Sequence, residues 1–472
     1  MPTLPIPFTS LNKSVDKVSV GSWNQGQYDG YWRQYYSPDG PKMIWTKRPG
    51  LTEFLDLSVT AGVDGLYYWT RQDKLVSVCD GDVDLITEAA VNTDITGTAD
   101  MTAGVKPTFA DVLGSSLYIA SSGKIGAYAA AAGAYLADGD APTTVRFIGT
   151  IIQILVALND SSERFDWADA ALPATWAGEY SNVEASPDLA KAMIIANNYL
   201  YFPGQDTCEI WRDDGTTFVR ESQAVISRGC SSGDSVVEIN GILYWLDQNR
   251  EIISLTGFTP MVLSNPALSR YLKSFDTVND AIGLSIPVDG SPFYILTFPS
   301  EQKTIAYDII LNQFYNWSYW DTHSASHKAW RGISAAHAPQ WNKTLIGDQA
   351  NGKIYEFTGT TDDGDDIRTV LQGDFYDRGE PNRRKFCEEI ILTFKRANTA
   401  TTPKVMEISW RDDGDTDWTG TRIVDIEAQN KTEIVVRETR LGSYKKRMWR
   451  FVMSDATTSA LVSAYERFSL GR

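Results

Sequence analysis

Short apolar runs of three to six residues, rich in aromatic and β-branched side chains and bounded by Gly, Asn and Asp, recur along most of the chain. They are Gly65–Trp69, Ser116–Ile119, Ile151–Val156, Tyr199–Phe202, Ile242–Trp245, Pro292–Leu296 and Thr344–Ile346. Each has the length and residue preference of a β-strand. Tight-turn pairs, Asn197-Asn198, Asn240-Gly241 and Asp289-Gly290, stand ahead of three of them. Lys74–Val78, Gly123–Tyr128, Glu251–Thr256, Thr304–Asp308 and Gly352–Phe357 follow as the next strand of a hairpin. Registered on Leu66, Leu117, Gln153, Tyr199, Ile242, Phe293 and Leu345, the runs lie 51, 36, 46, 43, 51 and 52 residues apart. A period of about 40–50 residues with about four strands per repeat is that of a β-propeller blade. One small twisted sheet cannot hide both of its faces, whereas radial stacking covers them and leaves only short edges. The pattern predicts an all-β chain, a β-propeller of six or seven blades, in preference to an array of sandwiches.

One helix interrupts the strands. Asn265 is a favourable N-cap and Pro266 suits the first helical position. Leu268, Tyr271, Leu272 and Phe275 then form an apolar stripe at helical spacing, a helical insertion expected to cover a blade edge. Toward the C-terminus the alternation changes. Cys387–Phe394, Val405–Trp410, Thr432–Val436 and Met448–Met453 predict antiparallel strands of a C-terminal β-sandwich-like module. The acidic, Gly-containing stretch Thr360–Asp366 reads as a linker or exposed turn. The expected division is an N-terminal arm over 1–50 leading into the first blade, the propeller with its insertions over 51–360, and a β-rich module over 361–472.

Charge sharpens this division. The 472 residues carry a formal charge of −17, from 43 Lys and Arg against 60 Asp and Glu. Residues 366–472 hold 19 basic and 17 acidic side chains, whereas 1–365 hold 24 and 43. So acidic a chain argues against a protein that grips nucleic acid by neutralising phosphates, though not against one that DNA merely passes. No apolar run approaches the roughly 20 residues that span a bilayer, so no membrane anchor is expected. Met1-Pro-Thr-Leu-Pro-Ile-Pro7 lacks the basic and apolar regions of a signal peptide, and a soluble, non-exported chain is expected.

Candidate chemistry is sparse. Cys79, Cys208, Cys230 and Cys387 form no C-x-x-C pair and read as buried thiols rather than a zinc site or a disulfide framework. His323 and His327 stand four apart without the glutamate of a hydrolytic H-E-x-x-H, and with His337 they read as solvated loop residues. No G-x-S-x-G elbow, phosphate loop or G-x-G-x-x-G occurs. Asp213-Asp-Gly-Thr-Thr-Phe218 fits the D-x-G-x-T-aromatic hairpin turn of sialidase-type propellers, and Asp412–Trp418 is a stretched version of it. In both, the Asp and Gly fix a turn over the aromatic ring. The Asp clusters at 362–366 and 412–417 lack calcium-ligand spacing, and carboxylate pairs for glycoside hydrolysis cannot be picked from 60 acids. The aromatic segment Asn312–Trp320 is either a sugar-stacking surface or, as we expect, core between blades. No catalytic, cofactor or metal residues are assigned. Two basic clusters in the C-terminal module, Arg383-Arg384-Lys385 and Lys445-Lys446-Arg447, are candidate docking residues for an acidic partner or for DNA phosphates.

Several segments between 145 and 320, taken in order, resemble a known family. They are Arg164-Phe-Asp-Trp-Ala-Asp169, Leu172-Pro-Ala-Thr-Trp176, Tyr180, Glu184-Ala-Ser-Pro-Asp188, Tyr199–Gly204 and Thr207-Cys-Glu-Ile-Trp211. The helix over Pro266–Phe275 and the strand pair ending at Tyr307-Asp308 follow, and Arg48-Pro-Gly-Leu51 stands near the N-terminus. The family is that of the packaged-DNA-stabilisation, or tail nozzle, proteins of short-tailed bacteriophages, and the resemblance covers about three-fifths of the chain. It implies a virion component in the tail, assembled in the bacterial cytoplasm. Copies would self-associate into a ring, six by expectation, below the portal and its adaptor. Such a ring would anchor tail fibres or spikes and a plug or needle, retain the packaged double-stranded DNA, and conduct it through the lumen at ejection. It would be neither an enzyme nor dependent on a cofactor. An acidic conduit suits DNA that must slide without sticking. Two other readings compete: a carbohydrate-binding or glycosidase-type propeller for host-receptor recognition, and a cellular scaffold propeller that binds peptides.

Overall fold

The computed structural model of the chain describes residues 3–8, 26–37, 40–97, 101–112, 116–129, 135–137, 139–169, 175–221, 225–396, 405–426, 433–454 and 459–471. Residues 172–174 and Thr432, which belong to segments singled out above, lie outside these. The chain divides into two compact units, one of 53–312 with 329–357 and one of 1–52, 313–328 and 358–472.

The first unit is a seven-bladed β-propeller. Its sheets run over 63–94, 108–137, 145–182, 194–220, 237–262, 282–308 and 332–357, each a meander of antiparallel strands. The loop chemistry explains why. Asn197-Asn198, Asn240-Gly241 and Asp289-Gly290 all have positive φ at both positions (50° and 62°, 54° and 80°, 48° and 82°). That is the two-residue turn whose twist matches the strands it joins. The innermost strands are Val63–Trp69, Thr108–Val112, Val145–Ile151, Ile194–Ala196, Val237–Ile239, Ile282–Val288 and Gly332–Ala338. Each packs against the next, and the last against the first.

Residues 53–56 belong to the strand Leu51–Asp56, which lies beside Lys353–Phe357 as the outer strand of blade 7. The Leu57 N–H donates to Gly352 O at 3.1 Å, and Lys353 pairs with Glu53 at 2.7 Å. A strand from before the first blade thus finishes the last one.

The core consists of the wedges between blades. Trp69, Val76 and Val78 of blade 1 meet Leu117, Ile119 and Tyr128 of blade 2. Phe165 and Trp167 of blade 3 meet Phe202, Trp211 and Phe218 of blade 4. Tyr201 and Ile210 meet Leu243 and Trp245, and Val63, Leu66 and Leu75 meet Ala336, Leu345 and Ile354 to close the ring. Planar rings fill such wedges at low entropic cost.

Two sequence expectations shift in register. Ile151–Val156 is not one strand but a hairpin: Ile152 and Gln153 sit at φ 47° and 69° between Val145–Ile151 and Ile154–Asn159. The apolar run concealed the turn, and Ile152 is 59% exposed at its tip. Leu66 lies on an innermost strand, whereas Leu117, Tyr199, Ile242, Phe293 and Leu345 lie on second strands, so the first register position is not equivalent to the others. The helix spans Pro266–Lys273, with the Leu268 N–H donating to the Asn265 side chain at 2.8 Å. Arg250 donates to the carbonyls of Lys273 and Phe275 that end the helix, and Phe275 packs on Phe298 of blade 6.

The second unit is built on two antiparallel sheets. The larger has the order Gly30–Ser37, Gly40–Lys47, Ser459–Leu470, Lys385–Arg396, Glu433–Thr439, with Thr3–Pro5 and Ser443–Tyr444 at its margins. The smaller has the order Arg368–Gln372, Arg447–Ser454, Val405–Asp412, Arg422–Asp425. Strands from the first fifty residues therefore complete the C-terminal sheet, with Trp45 opposite Leu461. Between the sheets, Trp449 Nε1 donates to Tyr376 Oη at 2.6 Å, and Tyr376 and Tyr444 both donate to Glu466 at 2.7 Å.

A buried ion triad ties together three distant segments of this unit. Arg48, 1% exposed, donates from Nε to Asp29 at 2.8 Å and from both terminal nitrogens to Asp362 at 2.9 and 2.5 Å. It also donates to Ser318 O at 2.7 Å, and the Ser318 N–H and hydroxyl both donate to Asp29. The Thr360–Asp366 stretch is therefore more than a solvated turn. Asp363 and Gly364 form its tip, but Asp362 is 3% exposed and neutralises Arg48. Replacing Arg48 by Met should lower stability by about 3–5 kcal/mol, because two carboxylates would remain buried without their partner. Replacement by Lys should rescue little of this, since an ammonium cannot reproduce the planar fork. Urea unfolding checks both, and an unchanged midpoint in the Met variant would contradict the assignment.

Candidate functional site

The innermost strands of the propeller enclose an axial space of about 550 Å³. Its wall is mostly apolar, with Leu66, Phe109, Phe147, Ile195 and Leu284 among the lining residues and Asp64 and Glu238 as its carboxylates besides Asp234. Backbones approach closely here. A Cβ on Gly65 would lie 2.1 Å from Pro107 Cγ, and one on Gly283 would lie 2.4 Å from Ser235 O.

Lys106 straps the ring. It leads into blade 2, and its ammonium donates to Asp234 O at 3.2 Å and Gly283 O at 2.9 Å, before blade 5 and on blade 6. Arg146 of blade 3 supports it, donating to Lys106 O at 2.7 Å and to the Asp234 carboxylate at 2.5 Å. Burial lowers the Lys106 pKa, and the Asp234 charge opposes that shift. Burial likewise raises Asp64, against the Gly104 N–H that donates to it at 2.9 Å, and pushes Tyr67 up to about 12, aided by Asp111. A space of this volume is that of a small-molecule pocket. A duplex, whose major groove alone is about 12 Å wide, does not fit within it.

Neither His nor Cys lines the axial space among the described residues. All four cysteines are buried free thiols, and burial raises each of them, Cys79 and Cys230 to about 12. His323 lies in an exposed turn, but His327 and His337 are on strands rather than loops. His327 stacks on Tyr28 with centroids 3.9 Å apart and contacts Ser318 Oγ at 2.7 Å, because it flanks the Asp29 network. In Asp213–Phe218 the Asp213 carboxylate accepts from the Gly215 N–H and Asp214 from the Thr216 and Thr217 N–H groups, while Phe218 is buried. The motif is a turn, as its sequence predicts. Within Asn312–Trp320 the rings of Phe314, Tyr315 and Trp317 are buried, and Tyr315 packs with Trp45 in the second unit. They are core, as expected, but of the second unit rather than between blades, because 313–328 fold with the strands of the first fifty residues.

The two basic clusters come together, because Lys385 pairs with Tyr444 and Phe386 with Ser443. Strand alternation divides them. Lys385 and Arg447 point inward and are fully buried. Lys385 donates to the carbonyls of Glu380 and Lys445, and Arg447 forms a two-pronged pair with Asp412 at 2.7 and 2.8 Å. Arg383, Arg384, Lys445 and Lys446 are exposed, and the Asp413 carboxylate accepts from the Lys445 and Lys446 N–H groups. These bonds and the neighbouring cations hold Asp413 below the usual carboxylate range despite its partial burial. Sequence reading missed Lys106, Arg146 and Asp234. They are scattered through the chain, and only ring closure makes them neighbours.

A family profile described as bacteriophage P22 Gp10, beta-propeller, matches residues 39–362. No curated protein sequence matches. Among solved structures, similarity extends to one described as the extracellular domain of a one-component system from B. thetaiotaomicron. It has 9% identity and a TM-score of 0.46, over 86% of this chain and 62% of that one. Another is described as the extracellular domain of a hybrid two-component system of the same organism, with 9% identity and a TM-score of 0.45 over 85% and 58%. The chain thus spans about three-fifths of the length of the solved structures it matches.

Two outcomes follow from the geometry. Lys106→Met leaves the Asp234 and Gly283 carbonyls without their donor and should cost about 1–3 kcal/mol, measured by denaturant unfolding; an unchanged stability would show that the strap carries no load. Iodoacetamide at pH 8 should label none of the four cysteines in the native protein and all four in urea, because the raised pKa values keep the thiols protonated. Mass spectrometry counts the adducts.

Proposed function

The chain belongs to the phage-stabilisation family of bacteriophage P22 Gp10, a family of phage structural proteins, and we propose that it is a tail nozzle, a head-completion component. Copies of it form a ring below the portal and adaptor, six by the family resemblance. The ring retains the packaged genome and conducts it at ejection, and it carries tail fibres or spikes and the plug or needle. Its action is mechanical and steric, without bond-making chemistry. The observation that carries the reading is the family match, which runs across the propeller.

Charge and size support it. Residues 1–365 hold 43 acidic against 24 basic side chains, a surface that offers phosphates little to hold. The axial space of one propeller, about 550 Å³ and strapped by Lys106, is too small for a duplex. In this reading the conduit is the hole between copies. Particles assembled without the protein are expected to lose packaged DNA, and labelled protein in electron micrographs is expected to mark a ring under the portal. Particles that lack the protein yet keep a full genome as long as wild-type particles do would end the proposal.

A further inference from the structure

One face of the smaller sheet carries three half-exposed arginines around two tryptophans. Strand pairing puts Arg368, Arg450 and Arg411 on one face, because Ser409 lies opposite Arg450 and Ser454 opposite Arg368. The Trp418 ring takes two guanidiniums, Arg411 at 4.3 Å and Arg450 at 4.2 Å from its centroid. Arg368 lies 4.8 Å from the ring of Trp320. Glu407 on the same face pairs with Arg368 at 3.0 Å.

Arg450 donates from Nε to Ser409 Oγ at 3.1 Å, and Arg411 Nε is buried with no hydrogen-bond partner. In the nearby loop, Asp412 is taken by Arg447 and Asp413 by backbone N–H groups. Burial lowers the Arg450 pKa, and Arg368 and Arg411 lower it further, so the three cations repel one another. Like charges held together without matching anions are costly in a folded chain. Two apolar residues on the same face, Ile423 and Val405, are 71% and 40% exposed.

Resting on the ring reading above, we propose that this arginine–tryptophan face docks the acidic surface of a neighbouring copy of the chain. Two observations favour a copy over DNA. Arg and Trp are residues in which protein–protein hot spots are enriched, whereas phosphate contacts make no use of the exposed Ile423. The partner also supplies the missing anions, because residues 1–365 of each copy carry 43 acids against 24 bases. The ring would then alternate a basic face with an acidic one, a head-to-tail contact that closes when the rotation permits.

The test is sedimentation of the full chain over a range of concentrations, comparing wild type with Arg411→Gln/Arg450→Gln and with Trp418→Ala. Self-association should weaken about tenfold or more in each variant. In wild type it should weaken as salt rises from about 0.05 to about 0.5 M, where screening shortens to a few ångströms. Wild-type rings that the variants and salt leave unaffected would overturn the docking face and leave the nozzle reading standing. A wild-type chain that stays monomeric throughout, alone and with adaptor-bearing heads, would overturn both. Variants that assemble normally but lose binding to duplex DNA would assign the arginines to phosphate and also overturn the proposal. Should the double variant fail to fold, the wild-type salt dependence decides.

Discussion

A four-stranded sheet with two apolar faces cannot stand alone in water, and every other feature of the propeller follows from that constraint. Each blade here buries one face on its predecessor and the other on its successor, so a line of blades always leaves two uncovered ends. Closing the line removes them. Val63, Leu66 and Leu75 of the first blade against Ala336, Leu345 and Ile354 of the seventh make that closing contact. Residues 53–56, placed beside Lys353–Phe357, fasten it with backbone hydrogen bonds. Because the fastening strand precedes the first blade in sequence, ring formation links opposite ends of this unit, a non-local contact of the kind that makes folding slow.

Electrostatics divides along the same lines. The outside of the chain is acidic, yet both units keep cations inside. In the propeller, Lys106 and Arg146 are held by carbonyls and by Asp234. In the second unit, Arg48, Lys385 and Arg447 are fully or almost fully buried and each is bonded to oxygen. An interior charge persists only where several acceptors replace its water. These residues therefore bond segments that are remote in the chain.

The propeller was legible because the signals that make it are local. Turn pairs such as Asn240-Gly241 act through their own φ angles, and strand runs such as Ile242–Trp245 repeat at blade spacing. The helix was legible for the same reason, since Asn265 and Pro266 act within one turn. Ile151–Val156 misled because Ile152 and Gln153 make a turn without glycine, where only positive φ betrays it. Of the six basic candidates, spacing could mark all of them but could not divide them. Lys385 and Arg447 face inward through the pleat phase of strands whose register is set by distant partners.

By itself the sequence determined the class of architecture, the approximate number of repeats, the capped helix, the turn role of Asp213–Phe218 and the acidic surface, because each depends on residues close in the chain or on composition. Tertiary structure alone decided that there are seven blades, that the strands before residue 52 belong to the C-terminal sheet, and that Asp362 serves Arg48. It alone decided that Lys106 spans the axis and that Arg368, Arg411 and Arg450 share one face. These depend on which remote segments become neighbours, and that is set by burying apolar faces against each other, a choice no local pattern encodes.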